Sequence, residues 1–143
     1  MEVHERSIVV NAPVDDVFRM WSRWEDFPKY MSSVTNVRQL TPDTSHWEGS
    51  ISGIEEEWDA KTTDLVEDQL IAWESVAGFR NKGFIKFDDM EGRTNITVHF
   101  EYDPPGGVAG FIVDKALIGR RFDQRLEDDL SRFKAQVEVE EGD

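Results

Sequence analysis

Three ionisable side chains fall where the apolar pattern expects covered positions: Glu56, Tyr102 and Lys115. Glu56 shares the alternate phase of Trp58 and Ala60, Tyr102 closes the alternating run "TNITVHFEY", and Lys115 lies between Phe111 and Ile118 on a helical stripe. An isolated buried charge costs several kcal/mol or shifts its pKa, so each of the three needs a partner, water or a ligand. Gathered around one enclosed space, Glu56 could act as a base and Tyr102 or Lys115 as a proton donor. Each also has a plainer role. A β-bulge or exposed edge would turn Glu56 outward, snorkelling or a kink near Gly110 would carry Lys115 to water, and Tyr102 would be a core aromatic whose hydroxyl reaches solvent.

Other chemistry is poorly supported. His4 precedes the first strand, His46 opens a later one, and His99 falls on an expected wet face. None stands at metal-ligand spacing from another histidine or a paired carboxylate, so no metal site is expected. "EEE" at 55–57 reads as a solvated strand segment. "PPGG" lacks the Lys-Ser/Thr of a phosphate loop, which argues against nucleotide binding. With zero cysteines there is neither disulfide nor thiol chemistry.

A formal charge of -14, from 30 acidic against 16 basic residues, would repel a nucleic acid or an anionic membrane surface. The basic cluster Arg120, Arg121 and Arg125 is interleaved with Asp114, Asp123, Glu127, Asp128 and Asp129, so nucleic acid is not an expected partner. The acidity fits either a salt-adapted proteome or a demand for solubility. The 143 residues, without repeat or linker, are expected to form one domain over 1–143. No apolar run has the length of a bilayer span, "MEVHERSIVV" lacks the pattern of a signal peptide, and a cytoplasmic location is the default expectation.

These residues must be positioned by a sheet and a helix. "HERSIVV" reads as a first strand. Pro13 suits the first turn of a helix, with Asp15 and Asp16 at its positive end and Val14, Val17, Phe18 and Trp21 on one face. Trp24, Phe27 and Met31 predict a second short helix or turn, interrupted at Pro28. From Ser33 to Tyr102, alternating runs between turn signals predict an antiparallel sheet with one covered face. That face carries Trp47, Trp58, Trp73, Phe87, Phe100 and Tyr102 beside the small residues Gly49, Ala60, Thr62, Ser75, Gly83 and Thr94. A final helix over roughly 107–137 shows the stripe Val108, Phe111, Ile112, Ile118, Phe122, Leu126, Leu130, Phe133 and Val137, with Asp128 and Arg132 paired away from it. Thirty helical residues span about 45 Å and a ten-residue strand about 33 Å. The helix must therefore cross diagonally, or the sheet must curl around it. "PPGG" ends the last strand and permits the reversal.

The ordered segments "VNAPVDDVFRMWSRWEDFPKYM", "IAWESVAG…GFIKF", "YDPPGG" and "DLSRFKAQVE" resemble the START-like, helix-grip superfamily (SRPBCC), in its polyketide cyclase/dehydrase and coenzyme Q-binding branch. The resemblance covers essentially the whole chain. It implies an α+β fold in which a curved antiparallel sheet of about six to seven strands holds a long C-terminal helix, with two short helices after strand one. It also implies a cavity between sheet and helix for a hydrophobic small molecule such as a lipid, isoprenoid or polyketide, with no cofactor. The expected lining is Phe27, Tyr30, Trp47, Trp58, Ala60, Trp73, Ile85, Phe87, Val98, Phe100, Phe111, Ile112, Lys115 and Gly119. Large-against-small packing in a dry core is the competing expectation for the same residues. The aromatics of "WEDFPKYM" would either gate the cavity or pack the core. Two other functions stay open: an aromatase-like cyclase/dehydratase using Glu56, Tyr102 and Lys115, and a protein-interaction module using the acidic face or "WEDFPKYM".

Overall fold

The computed structural model describes residues 1–104 and 115–141, the side chain of Lys115 excepted. After β1 (Glu2–Val10) come α1 (Val14–Trp21), one 3-10 turn (Trp24–Asp26) and α2 (Phe27–Tyr30). Six strands follow: β2 (Val34–Gln39), β3 (Thr44–Ile51), β4 (Ile54–Val66), β5 (Leu70–Gly78), β6 (Asn81–Asp89) and β7 (Thr94–Tyr102). The last element is α3 (Lys115–Glu141). The seven strands form one antiparallel sheet in the order β1-β7-β6-β5-β4-β3-β2, curled into a half-barrel around α3. The short helices carry the chain from one edge of the sheet to the other, and β2 to β7 then return as a meander to β1. No described helix is long and apolar enough to cross a membrane.

The local expectations hold with specific corrections. Pro13 stands at the N-cap of α1 in extended geometry, not within its first turn, while Val17 and Trp21 are buried as the spacing predicts. Pro28 stands in the first turn of α2, directly after Phe27, instead of interrupting the helix, because its missing N–H is tolerated at the first helical positions. The strand alternation survives, with Trp47, Ile51, Trp58, Ala60, Ile71, Ile85, Phe87, Ile96, Val98 and Tyr102 all buried. The helix start expected at Gly107 lies outside the described residues, and the helix runs past Val137 to Glu141. Its stripe is real: Ile118, Leu126, Leu130, Phe133 and Val137 are buried. Arg132, however, pairs with Asp129 at 3.3 Å, and Asp128 accepts from Gln124 Nε2 at 3.1 Å, so the expected Asp128–Arg132 pair is replaced by two others.

Polar contacts fix α3 along both flanks. Toward β1, His4 Nδ1 meets Asp123 at 2.7 Å, Arg6 bonds Glu127 at 3.2 Å, and Lys134 Nζ donates to the Val9 carbonyl at 2.9 Å. On the opposite flank, Asp129 accepts from Ser32 N at 3.0 Å and Ser32 Oγ at 2.8 Å, and Ser52 Oγ donates to the Ile118 carbonyl at 2.9 Å. The Asp129 carboxyl is only 1% exposed, and burial raises its pKa against the opposing pull of those Ser32 bonds.

The outer face holds a cluster that linear spacing hid. His46 is directly across from Asp59 in the β3–β4 pair, and Glu48 from Glu57. His46 Nδ1 lies 2.7 Å from Asp59, and its Nε2 lies 3.1 Å from Glu57 and 3.7 Å from Glu48. The expectation that no histidine stands at metal-ligand spacing from a paired carboxylate is thus overturned by cross-strand register, which brings one ligand atom each of His46, Glu48 and Glu57 within 4.8 Å of one another. Two carboxylate acceptors ask for two ring N–H donors, so the geometry favours imidazolium, and the hydrogen bond to Asp59 leads the upward shift of the His46 pKa.

Two predictions follow from this packing. In the β5–β6 pair Trp73 faces Gly83, where an added Cβ would stand 2.2 Å from the His99 carbonyl oxygen and 2.9 Å from the Trp73 ring. Gly83→Ala is expected to cost about 1–3 kcal/mol in urea denaturation. For His46 a raised folded pKa means the stabilisation is complete below the unfolded value near 6.5 and fades as pH rises through the folded value. NMR titration should place His46 above 6.5, with Asp59→Asn bringing it down. The gap in thermal midpoint between the native chain and His46→Gln should be wider at pH 6 than at pH 9.

Candidate functional site

Between the concave face and α3 lies a partly open hollow of about 80 Å³. Its wall is aromatic: Trp21 comes from α1, Trp24 and Phe27 from the segment after it, and Trp47, Trp58, Trp73 and Phe100 from the sheet, with Phe122 from α3. All five tryptophans of the chain line this one space. Their rings meet edge to face, stacked or tilted. Trp47 stacks on Trp58 with ring centres 6.1 Å apart, Trp24 and Phe27 meet the Trp47 ring at 5.8 and 5.1 Å, and Phe100 stacks on Phe122 at 5.2 Å. Such pairs add about 0.5–1.5 kcal/mol each beyond the area they bury, so the wall is stiff. Trp73 is further fixed by its indole N–H, which donates to Asn81 Oδ1 at 3.0 Å.

Few polar residues line the hollow: Ser33, Arg125 and Asp129 on one side. The indole N–H of Trp21 is buried with no acceptor among the described residues, and an unmade hydrogen bond from a buried donor costs about 1–3 kcal/mol.

The expected lining divides. Phe27, Trp47, Trp58, Trp73, Ile85, Val98 and Phe100 surround the hollow, joined by Trp21, Trp24, Met31, Val34, Ile51, Phe122 and Leu126. Tyr30 packs instead against Trp21 and Phe133, and Phe87 packs edge-on against Phe18. Ala60 is buried opposite Ser45 and Ser75, away from the hollow. Gly119 faces His4, whose Cε1 lies 3.5 Å from where a Cβ would stand. Phe111 and Ile112 lie outside the described residues, as does the side chain of Lys115.

Small residues expected to leave room are filled by neighbours. The space over Gly49 is taken by the Ser33 carbonyl, 2.3 Å from a notional Cβ, and that over Gly83 by the His99 carbonyl and the Trp73 ring. Trp21 and Phe122 could have been found from their stripe positions. Arg125 and Asp129 could not, because only the curl of the sheet brings that flank of α3 to the opening.

The two described acid/base candidates are separate from the hollow. Glu56 is half-buried on the side of Trp58, and desolvation raises its carboxyl pKa. Tyr102 is wholly buried and packs against His4, Phe79, Phe100 and Phe122. Its hydroxyl, expected to reach water, is instead enclosed and has no partner among the described residues, and burial pushes its pKa to about 12. His4 lies inside β1, not before it, and is buried against Tyr102 and Asp123.

With this geometry, comparison with known proteins becomes informative. An uncharacterized 17.2 kDa protein from the melC2-rnhH intergenic region of Streptomyces lincolnensis is 31% identical over 138 residues, covering 94% of this chain and 88% of that protein. A START superfamily protein from Mycobacterium smegmatis superposes with a TM-score of 0.76 at 15% identity, covering 94% of this chain and 98% of the other. The Zhui aromatase/cyclase from Streptomyces sp. R1128 superposes with a TM-score of 0.66 at 14% identity, covering 96% and 89%. At those identities the two structures establish the fold. The sequence profile described as polyketide cyclase / dehydrase and lipid transport matches residues 10–131, and the chain belongs to that family.

Proposed function

We propose that this protein binds a hydrophobic small molecule, of lipid, isoprenoid or polyketide-like character, between the sheet and α3. The observation that carries the proposal is the convergence of all five tryptophans on one apolar hollow that is not completely filled. Burying an apolar group there is favourable by about 25 cal/mol per Å² removed from water. Drug-sized ligands occupy roughly 300–1,000 Å³. A hollow of about 80 Å³ therefore accepts a slender apolar end or the edge of a ring, with the rest of the molecule held outside or the wall adjusting around it. Binding is favoured over the acid/base scheme because neither Glu56 nor Tyr102 lines the hollow.

The neutral fluorescent probe 1-N-phenylnaphthylamine tests the proposal. Saturable binding should quench tryptophan emission through energy transfer to the probe, and native mass spectrometry of the purified chain should detect a retained apolar compound. Val98→Phe, which fills the hollow from β7, is expected to weaken probe binding about tenfold. Its melting temperature should stay within about 5 °C of the native value. Ile85→Phe serves if the first variant does not fold. Absence of saturable binding, or equal affinity in a folded filled variant, would refute the site.

A further inference from the structure

Beside the apolar hollow, and sharing Ser33, Phe122 and Arg125 with it, lies a polar cleft of about 460 Å³. The two spaces adjoin at these three residues, the one walled mainly by aromatic rings and the other by hydroxyl, amide and charged side chains. Its far wall is the β3–β4 turn with Ser50 and Ser52, and its near wall is the exposed flank of α3 with Arg121, Arg125 and Asp128. Arg121 and Arg125 are one helical turn apart, so both guanidinium groups reach the same opening.

The charge here runs against that of the molecule. The chain carries -14 overall, yet two arginines face this cleft against the one acidic residue in its wall. That residue, Asp128, already accepts from Gln124. Asp129, behind the opening, has its carboxylate engaged by Ser32 and Arg132, and the Arg125 charge also acts on it. Neither Arg121 nor Arg125 forms an ion pair among the described residues, and the hydrogen bond recorded for Arg125 is to Ser32 Oγ at 3.2 Å. Most of their forked N–H donors thus have no acceptor among the described residues, and a carboxylate matches that fork in two parallel bonds.

We infer that the ligand is an amphiphile with a carboxylate end: its apolar part enters the tryptophan-lined hollow and its anionic head lies in the cleft against Arg121 and Arg125. The inference rests on the hollow being a binding site, and it adds the class of molecule. It also accounts for the small volume of the hollow, because the head and the adjoining carbons are held in the cleft and need no room inside.

Three probes of one skeleton separate the two ideas: 4-phenylbutyrate, 4-phenylbutan-1-ol and 4-phenylbutylamine, titrated at pH 7.5 in low salt and followed by tryptophan fluorescence and calorimetry. The acid should bind about tenfold more tightly than the alcohol, and the amine least well. Raising the salt should narrow the difference, since the cleft is open to solvent. Arg121→Gln and the double variant with Arg125→Gln should bring the acid-to-alcohol ratio toward one. Arg38→Gln, the same charge change on β2, should leave it high. Equal binding of acid and alcohol, or a preference that survives the double variant, overturns the carboxylate assignment while leaving the apolar site standing. Failure of all three probes to bind overturns both.

Discussion

The structure depends on how a long amphipathic helix is covered by shorter strands. α3 has 27 described residues, about 40 Å of helix, against strands of mostly nine residues, about 30 Å. The stripe of Ile118, Leu126, Leu130, Phe133 and Val137 leaves water only if the sheet bends around it. Curling places the ends of the sheet on the two flanks of the helix, where β1 meets Asp123 and Glu127 and the segment before β2 meets Asp129. A flat sheet would leave those carboxylates in solvent and the stripe half exposed.

Curvature also makes the hollow. A concave face has more lining than a straight helix can fill, and the excess is taken up by aromatic rings from three directions. Trp47 and Trp58 extend from the sheet, Trp24 and Phe27 close from the short helical segments, and Phe122 projects from α3. Planar rings meeting edge to face fill space incompletely, and the remainder is a narrow apolar volume with stiff walls. Glycines that look like sources of space in the sequence are points of close approach. At Gly49 a carbonyl moves in, and at Gly83 an indole lies down.

The polar chemistry divides by the same geometry. On the convex face, cross-strand neighbours gather His46 with Glu48, Glu57 and Asp59, where solvent reaches and a proton reconciles the charges. On the concave side few polar groups survive, and those that do are held by definite partners, as Asp129 is by Ser32, or left enclosed, as the Tyr102 hydroxyl is. At the rim the helix turns Arg121 and Arg125 outward, so that a cleft lined by two guanidinium groups adjoins the apolar hollow at Ser33, Phe122 and Arg125.

Alternation in β3 to β7 and the stripe along α3 are local, periodic properties, and they suffice to assign the elements and the covered face. They leave a diagonal crossing and a curled sheet both open, and the helix-grip architecture comes from the family resemblance. They also place Trp47, Trp58, Trp73, Ile85, Val98 and Phe100 on the proper side. Periodicity tells which way a side chain points and not how far along the curved surface it lies. Tyr30, Phe87, Ala60 and Gly119 therefore share the inward phase yet miss the hollow, while Glu56 and Tyr102 point inward and still stand apart from it. The carboxylates around His46, the contraction of the expected space over Gly49 and Gly83, and the exposure of Arg125 at the mouth were decided by strand register and sheet curl. Those are long-range quantities, set when residues far apart in the chain pack together, and no local pattern encodes them.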